Sequence, residues 1–568
     1  MRFNSLWLVL AVLAVAGCGS SGSDSDVRDL GNTPDVPSDV TDIFDAIDVS
    51  PDPTPPDAPA PDVTAELPTT SDLPDDSVGD LATDPGWETV SPPVPFGQEN
   101  RGYKMLRGIV HLHSNLSHDG CYPQHEEVDA SLLVDCETEH RAAPCLSGID
   151  FLMQSDHPSN VRDATFEEAL HFRSGEGDTL LNDSKGNLTA NLVQCPKGSL
   201  VPSFMYFVGT EGSKQMPIGM SAPIPAEVWN TSYGDSTPLE ATQAAIAKLH
   251  EIGGYAFVAH PEEDDLTVER IKAAPLDGIE IFNFHPMLMD ALTSNITQFI
   301  RMDAFMTPGR ANPDPDLAIL LLLKPVANDP LKFDQAAPFI RLTGFGATDI
   351  HRNVEVPSLC TDLESCGDNW GETFPNFAQL LVTGGPPVLA DGQRMDGFKR
   401  AFRWMSNHTL VATEKAAEVD EVRMSIGTGR SFMAFDVLGS PAGFDFFAVA
   451  DGNTVEMGRE IKGATSVDLY IRSPALELPA WGLPGVDQQA CANSLVRTKV
   501  YHATSTGSEL VLDQPGQGRE FKLAGAAAGA YRVEVWVTPT HVKPALNGIE
   551  EIADIEVPYL YSNAIFVR

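Results

Sequence analysis

The chain has 568 residues, 42% of them hydrophobic, with 37 Lys and Arg against 80 Asp and Glu and a formal net charge of -43. That length supports one large domain and a smaller one, with material enough to bury a core, and so strong an acidic excess argues against a phosphate-backbone partner, so no nucleic acid binding is expected. The charge is not confined to one place: residues 20–95 hold 18 Asp and Glu against one Arg, and the remainder of the chain is acidic as well.

At the start, Arg2 precedes the apolar run LWLVLAVLAVAG, which is shorter than the roughly 20 residues that span a bilayer and leads through small residues to Cys18. Residues 1–18 therefore read as an export signal. Val15, Ala16, Gly17 and Cys18 resemble the bacterial lipoprotein box, in which the cysteine becomes the acylated first residue of the mature chain. The resemblance implies a membrane partner reached through an N-terminal lipid. With no Asp beside Cys18, it implies a place in the cell envelope at the outer membrane, facing periplasm or exterior. Residues 19–95 are rich in Asp, Pro, Ser and Thr and lack apolar periodicity, the composition of a disordered, charge-extended tether. Their acids lack the Gly and closing Glu of a calcium loop.

Seven further cysteines follow: Cys121, Cys136, Cys145, Cys195, Cys360, Cys366 and Cys491. Export makes disulfides reasonable, and Cys360 and Cys366 flank a short loop that can close on itself; pairing among the other five is not readable. None stands in a CxxC, which argues against a thiolate zinc site.

From about residue 100, strand-like runs alternate with helices: LRGIVHLH (106–113), GIDFLMQSD (148–156), SFMYFVGTE (203–211), YAFVAH (255–260), GIEIFNFH (278–285) and IRLTGFGATD (340–349). Between the third and fourth, ATQAAIAKLHEIGG has helical spacing and a C-cap at Gly253. Alternation of this kind predicts a parallel α/β sheet or barrel, whose catalytic face lies at the strand C-termini. That is where His111 and His113, His157, Glu211, His260, and Asp349 with His351 fall. Seven of the 14 histidines lie between 111 and 171, and a barrel core does not take several imidazoles unless something compensates them. His171 and His250 read as filler, His125 and His285 as plain polar positions, and Glu280 as inward-facing near the site, either ligand or support.

The motifs HLHSNLSHDG, GIDFLMQSDH, FVGTEG, VAHP and GATDIH, in this order over residues 104–352, resemble the PHP (polymerase and histidinol phosphatase) superfamily. GIEIFN, GTGRSFMAF, GFDFFAV and the terminal YSNAIFVR make the chain most similar to its carbaryl-hydrolase, CehA/McbA-like type. The resemblance implies a distorted (β/α)7 barrel over 96–430 and two or three divalent ions (Zn, Mn or Fe). One would be held by His111, His113, Glu211 and Asp349. Another would use His157, His351 and Asp119, with neighbouring His118 as the alternative. The remaining ion would be bridged by Glu211 and bound by His260. The imidazole the family carries a few residues after Glu211 is missing, and only Met220 stands near its place. Gln215 or His285 would have to substitute for it.

Such a site implies a metal-dependent hydrolase acting through an activated water on a phosphoester or an amide or carbamate bond of a small-molecule or ester substrate. His260, His351 or a neighbouring carboxylate would protonate the leaving group, and Arg352 and Arg310 are the nearest anion clamps. The alternative is a catalytically silent barrel serving as an envelope binding or adhesion module. Residues 375–430 look helical, with Phe398, Phe402 and Met405 as a core stripe. SVDLYIRS, RTKVYHAT, EFKLAG and YRVEVWVTP predict a small all-β, sandwich-like domain over 431–568.

Overall fold

The computed structural model describes residues 87–88, 92–121, 130–212, 214–263, 265–284, 287, 301–306, 313–323, 329–356, 358, 360–363 and 374–568. Cys18, the acidic tether before residue 87, His125, His285, Arg310 and Cys366 lie outside them. The described residues fall in one compact unit.

The elements that position the site are β1 (Tyr103–Leu112), α1 (Ala130–Ser147), β2 (Phe151–Met153), β3 (Leu188–Gln194), β4 (Ser203–Phe207), β5 (Gln215–Ile218), α2 (Leu239–Glu251), β6 (Tyr255–Val258), β7 (Gly278–Asn283) and β8 (Thr343–Ile350). Parallel pairing joins β1 to β2, β2 to β4, β6 to β7, β7 to β8, and β8 back to β1. Between β4 and β6 the ring is completed by β5, which runs antiparallel to β6 and meets the end of β4 through the Gly209–Ile218 bridge. Short apolar runs such as FLM and YAFV suit this position because both faces of the sheet are covered. Inside, Val110, Phe151, Met153, Phe207, Ile218, Phe257, Phe345 and Ala347 form one cluster, closed at the far end by Val419, Val422 and Ile426. Each such large side chain contributes about 1.5–3 kcal/mol by burial. Outside, Ile109, Leu152 and Tyr206 pack under α1 and under Phe398 and Phe402. Helix α2 buries Thr242, Ala245, Ile246 and Leu249, a one-face spacing, and stops at Gly253 with φ 78°.

Three features go beyond the sequence reading, and one of them corrects it. The hairpin from Val208 to Gly219, tied by Thr210 N–H to the Pro217 carbonyl and Gly219 N–H to the Val208 carbonyl (both 2.9 Å), turns the chain back from the site. Met220 is thereby fully buried in the apolar core, against Gly254. Within 375–430, helices Pro375–Thr383, α3 (Phe398–Trp404) and α4 (Val419–Gly427) flank a strand, β9 (Ser406–Ala412), so the helical reading fails there. Its β-branched and short polar residues suit the slot beside β1. The sheet also crosses residue 430 without a break: β9 pairs with β10 (Ser431–Ala434), which pairs with β11 (Val557–Ser562).

Beyond 431 the strands divide among three sheets, the smallest being the antiparallel pair Ser440–Ala442 and Ala475–Glu477. Asp445–Ala450, Asn453–Glu456, Val467–Arg472 and Glu520–Leu523 build an antiparallel sheet joined by Trp87–Glu88, whereas Leu495–Thr504 and Gly529–Thr538 extend the sheet of β11. Phe446, Leu469 and Phe521 share one buried cluster with Val500, Val533 and Val535. Disulfides join Cys121 to Cys136 and Cys145 to Cys195; Cys360 is also disulfide-bonded, and Cys491 is free and buried. Among the described residues no helix is long and apolar enough to cross a membrane.

Candidate metal centre

The ends of the parallel strands do not follow simple alternation. Val110 belongs to the inner cluster and Leu112 to the outer one, so the phase breaks between them, at His111 with φ 63°. The β8 pairing with β1 is likewise irregular between Ala347 and Ile350, where Asp349 has φ 47°. His260, just past β6, has φ 51°. Left-handed backbone at a residue other than Gly costs about 1–3 kcal/mol and persists where surrounding contacts fix it. Here it turns the side chains of three strand ends toward one point.

Five imidazoles meet three carboxylates at that point, and each ring uses its two nitrogens differently. The Nδ1 side is held from behind: His111 by Glu280, His113 by Ser117 Oγ at 3.2 Å, His157 by the Glu211 carbonyl at 3.1 Å, His260 by Glu262 at 3.2 Å, and His351 by the Asp349 carbonyl at 3.0 Å. Because these partners accept, the proton sits on Nδ1 and leaves the Nε2 lone pairs facing inward. His111 Nε2 lies 3.0 Å from both Glu211 and Asp349, and His113 Nε2 lies 3.2 and 3.4 Å from the same two carboxylates. His260 Nε2 is 3.0 Å from the other Glu211 oxygen and 3.6 Å from Asp349. His157 and His351 Nε2 are each 3.3 Å from Asp119.

Two donor sets emerge, His111 with His113, Glu211 and Asp349, and His113 with Asp119, His157 and His351. Asp119 stands in the second set, and His118 lies beside it, its ring 4.9 Å from that of His157. A third grouping joins His260, Glu262 and Glu280 on the Nδ1 side of His260. The fit to cations rests on an observation independent of any family. His113 Nε2 and Asp349 Oδ1 are buried, face this cluster, and have no hydrogen-bond partner, a costly arrangement unless a positive ion lies between such atoms. Imidazole with carboxylate suits zinc, manganese or iron.

The electrostatics agree. Burial alone would push the Asp349 and Glu211 carboxyls up, but the His111 and His260 rings hold both well below the usual range. Burial would likewise depress His260, and Glu211 and Glu262 overcome it; His157 is raised to about 9, against its burial, by Asp119 and Glu211. The cluster thus attracts cations, and protons compete with metal for the same nitrogens.

Other residues fall into place around it. Asp156, which the sequence reading passed over, accepts from Ser114 N–H at 2.6 Å and Ser114 Oγ at 2.7 Å, stapling the His113 loop to β2. Ser117 donates to Asp119 at 2.7 Å. Glu262 went unrecognised because it opens an acidic run that looks solvated. Its contact to the ring two residues before it leaves no mark in the sequence. Arg352 pairs with Glu139 on α1 at 2.6 Å. Gln215 Nε2 donates to the Trp229 carbonyl at 2.8 Å. His250 pairs with Asp277 at 2.8 Å away from the cluster, and His171 lies behind it, 3.1 Å from Ser114 Oγ.

No protein-family model matches the chain, and no curated protein sequence does. Among solved structures it is similar to a two-domain protein from Bacteroides vulgatus described as containing a predicted PHP-like metal-dependent phosphoesterase. The identity is 13% over 80% of this chain and 95% of that one, with a TM-score of 0.24, a superposition too loose to assign a fold.

Proposed function

We propose that the chain is a metal-dependent hydrolase of the PHP type, cleaving a phosphoester or an amide or carbamate bond. The observation that carries this reading is the convergence of five Nε2 atoms on Asp119, Glu211 and Asp349, with two buried donor atoms left unpaired. Divalent ions bound there would acidify a water to near neutral pH and polarise the bond under attack. The residues' part is to hold and orient. His111 and His113 are completely buried and form the floor, while His157, His260 and His351 are partly exposed and line the approach. Both nitrogens of His260 and His351 are engaged, so their first role is to hold metal, and proton transfer from either would compete with that role. Arg352, adjacent to His351 and oriented by Glu139, is the candidate contact for a substrate anion.

A catalytically silent binding module is the competing reading, favoured by the missing imidazole; the otherwise complete ligand set weighs against it. The N-terminal features support placement in the envelope, lipid-anchored through Cys18 at the outer membrane. Metal-loaded protein should be assayed against an aryl phosphomonoester, an aryl phosphodiester and an aryl carbamate. Chelator-sensitive turnover of one class is expected. Full metal loading with no turnover of any would favour the silent module.

A further inference from the structure

Strand β7 carries none of the ligands that the family resemblance implies, yet its Glu280 is completely buried at the back of the cluster. Its neighbours Ile279 and Ile281 join a different apolar cluster from the barrel interior, which leaves Glu280 as the residue this strand turns inward. One carboxylate oxygen receives His111 Nδ1–H. The other receives the backbone N–H of His260 at 2.8 Å and Asn283 Nδ2 at 3.0 Å. Asn283, also completely buried, extends to Asp349 Oδ2 at 3.4 Å. Two side chains of one strand thus touch three ligands from three other strand ends, and those three are the ligands with left-handed backbone.

Both groups that meet the Glu280 oxygens from outside its own strand are donors. A carboxylate can accept from both. An amide of the same shape cannot, because its NH₂ would have to face either the His111 ring N–H or the His260 backbone N–H. Both Glu280 oxygens being occupied in this way, Glu280 supports the ligands rather than joining them, although it also falls in the grouping with His260 and Glu262. We propose that Glu280, assisted by Asn283, is the positioning residue that couples two metal positions: the one built on His111, His113, Glu211 and Asp349, and the one where His260 faces Glu211. Ions at the two positions are then held as a unit. This rests on the metal-centre reading above and adds that its cooperativity originates in a strand without a ligand of its own.

The test compares the full chain with Glu280→Gln and Glu262→Gln, each stripped by chelator and titrated with Zn²⁺ against a chromogenic chelator, with the visible spectrum of the Co²⁺-loaded protein as a second readout. Loss of a carboxylate behind a ligating imidazole typically weakens metal 10- to 100-fold. Glu280→Gln should do so at both positions and alter the cobalt bands of both, whereas Glu262→Gln, which backs only His260, should weaken one. Weakening of a single position, or of none, in Glu280→Gln overturns the coupling. Wild-type protein that binds no Zn²⁺ overturns the metal centre itself and the coupling with it. If Glu280→Gln does not fold, Asn283→Ser replaces it: a smaller loss at both positions supports the coupling, and unchanged affinities refute it.

Discussion

The ligand end of the barrel and the strands beyond residue 431 both bury many polar groups, and they treat them in opposite ways. In the second region the charges are matched. Arg532 meets Asp334 and Glu534 at 2.5 Å each, and Arg101 meets Asp445 and Glu456 at 2.6 Å each, which secures the segment ahead of β1 to the sheet of Asp445–Ala450. Among the described residues from 431 onward, Trp481 Nε1 is the only buried side-chain nitrogen or oxygen without a partner. The ligand end leaves His113 Nε2, Asp349 Oδ1 and Glu262 Oε2 unmatched. Backbone strain divides the same way. After 431 the left-handed residues other than Gly are Asp451 and Asn547, exposed residues of types that tolerate that region, whereas His111, Lys214, His260, Asp349 and Arg352 adopt it around the site. Matched charges stabilise a fold; unmatched donors at strained positions mark where a ligand completes the structure.

The sharpest way to break this contrast is at Asp349. Asp349→Ala should leave a folded chain, judged by circular dichroism, with turnover down by about 10³-fold or more and bound metal lost together, since ligands of one cage act as a unit. Next in size is the disulfide behind the first motif. Cys121–Cys136 closes a loop with a sequence separation of 15 right after the segment bearing Asp119. Replacing both cysteines by serine should cost about 3 kcal/mol in denaturant unfolding and weaken the Asp119, His157 and His351 position more than the other. A smaller effect belongs to Met220→His. Because Met220 is core, the substitution should add no metal and should destabilise by about 2 kcal/mol through a buried polar ring; a gain in metal stoichiometry would contradict that placement.

The smallest effect lies in the matched region. His541 is buried, accepts from Ser494 Oγ at 2.6 Å and donates to the Leu438 carbonyl at 2.8 Å, so it is neutral in the fold, its pKa brought down to about 4 by burial. Unfolded, it titrates near its ordinary value of about 6.5. Between these values the unfolded chain binds the extra proton, so the stability contribution is complete above the unfolded pKa and declines as pH falls toward 4. From pH 7 to 5.5 the loss should be roughly 1 kcal/mol, and His541→Gln should remove that part of the slope in urea unfolding.

Much of the site was legible in the sequence because metal chemistry restricts residue type and strand ends restrict position: the HLH pair, Glu211, His260 and the Asp349–His351 pair each close an apolar run. Strand direction was not legible. A period of two identifies a strand without saying which way it runs, so the turn that sends Gln215–Ile218 antiparallel to β6 and carries Met220 into the core went unseen. The same limit hid β9, whose pairing with β1 is set by tertiary contact rather than by its own pattern. Nor does hydropathy encode backbone sign: the turn at His111, which shifts the phase so that His111 and His113 both face the cluster, lies in its φ of 63°. Glu262 and Asn283 act through contacts to other ligands, and spacing carries no trace of such contacts.

The central claim is that the unmatched donors around Asp349 are the ligands of a metal centre, and elemental analysis of the purified full chain after exhaustive dialysis tests it most directly. The account predicts two or more divalent ions retained per wild-type chain and their loss in Asp349→Ala. Wild-type protein retaining none, or Asp349→Ala retaining the full complement, would contradict it.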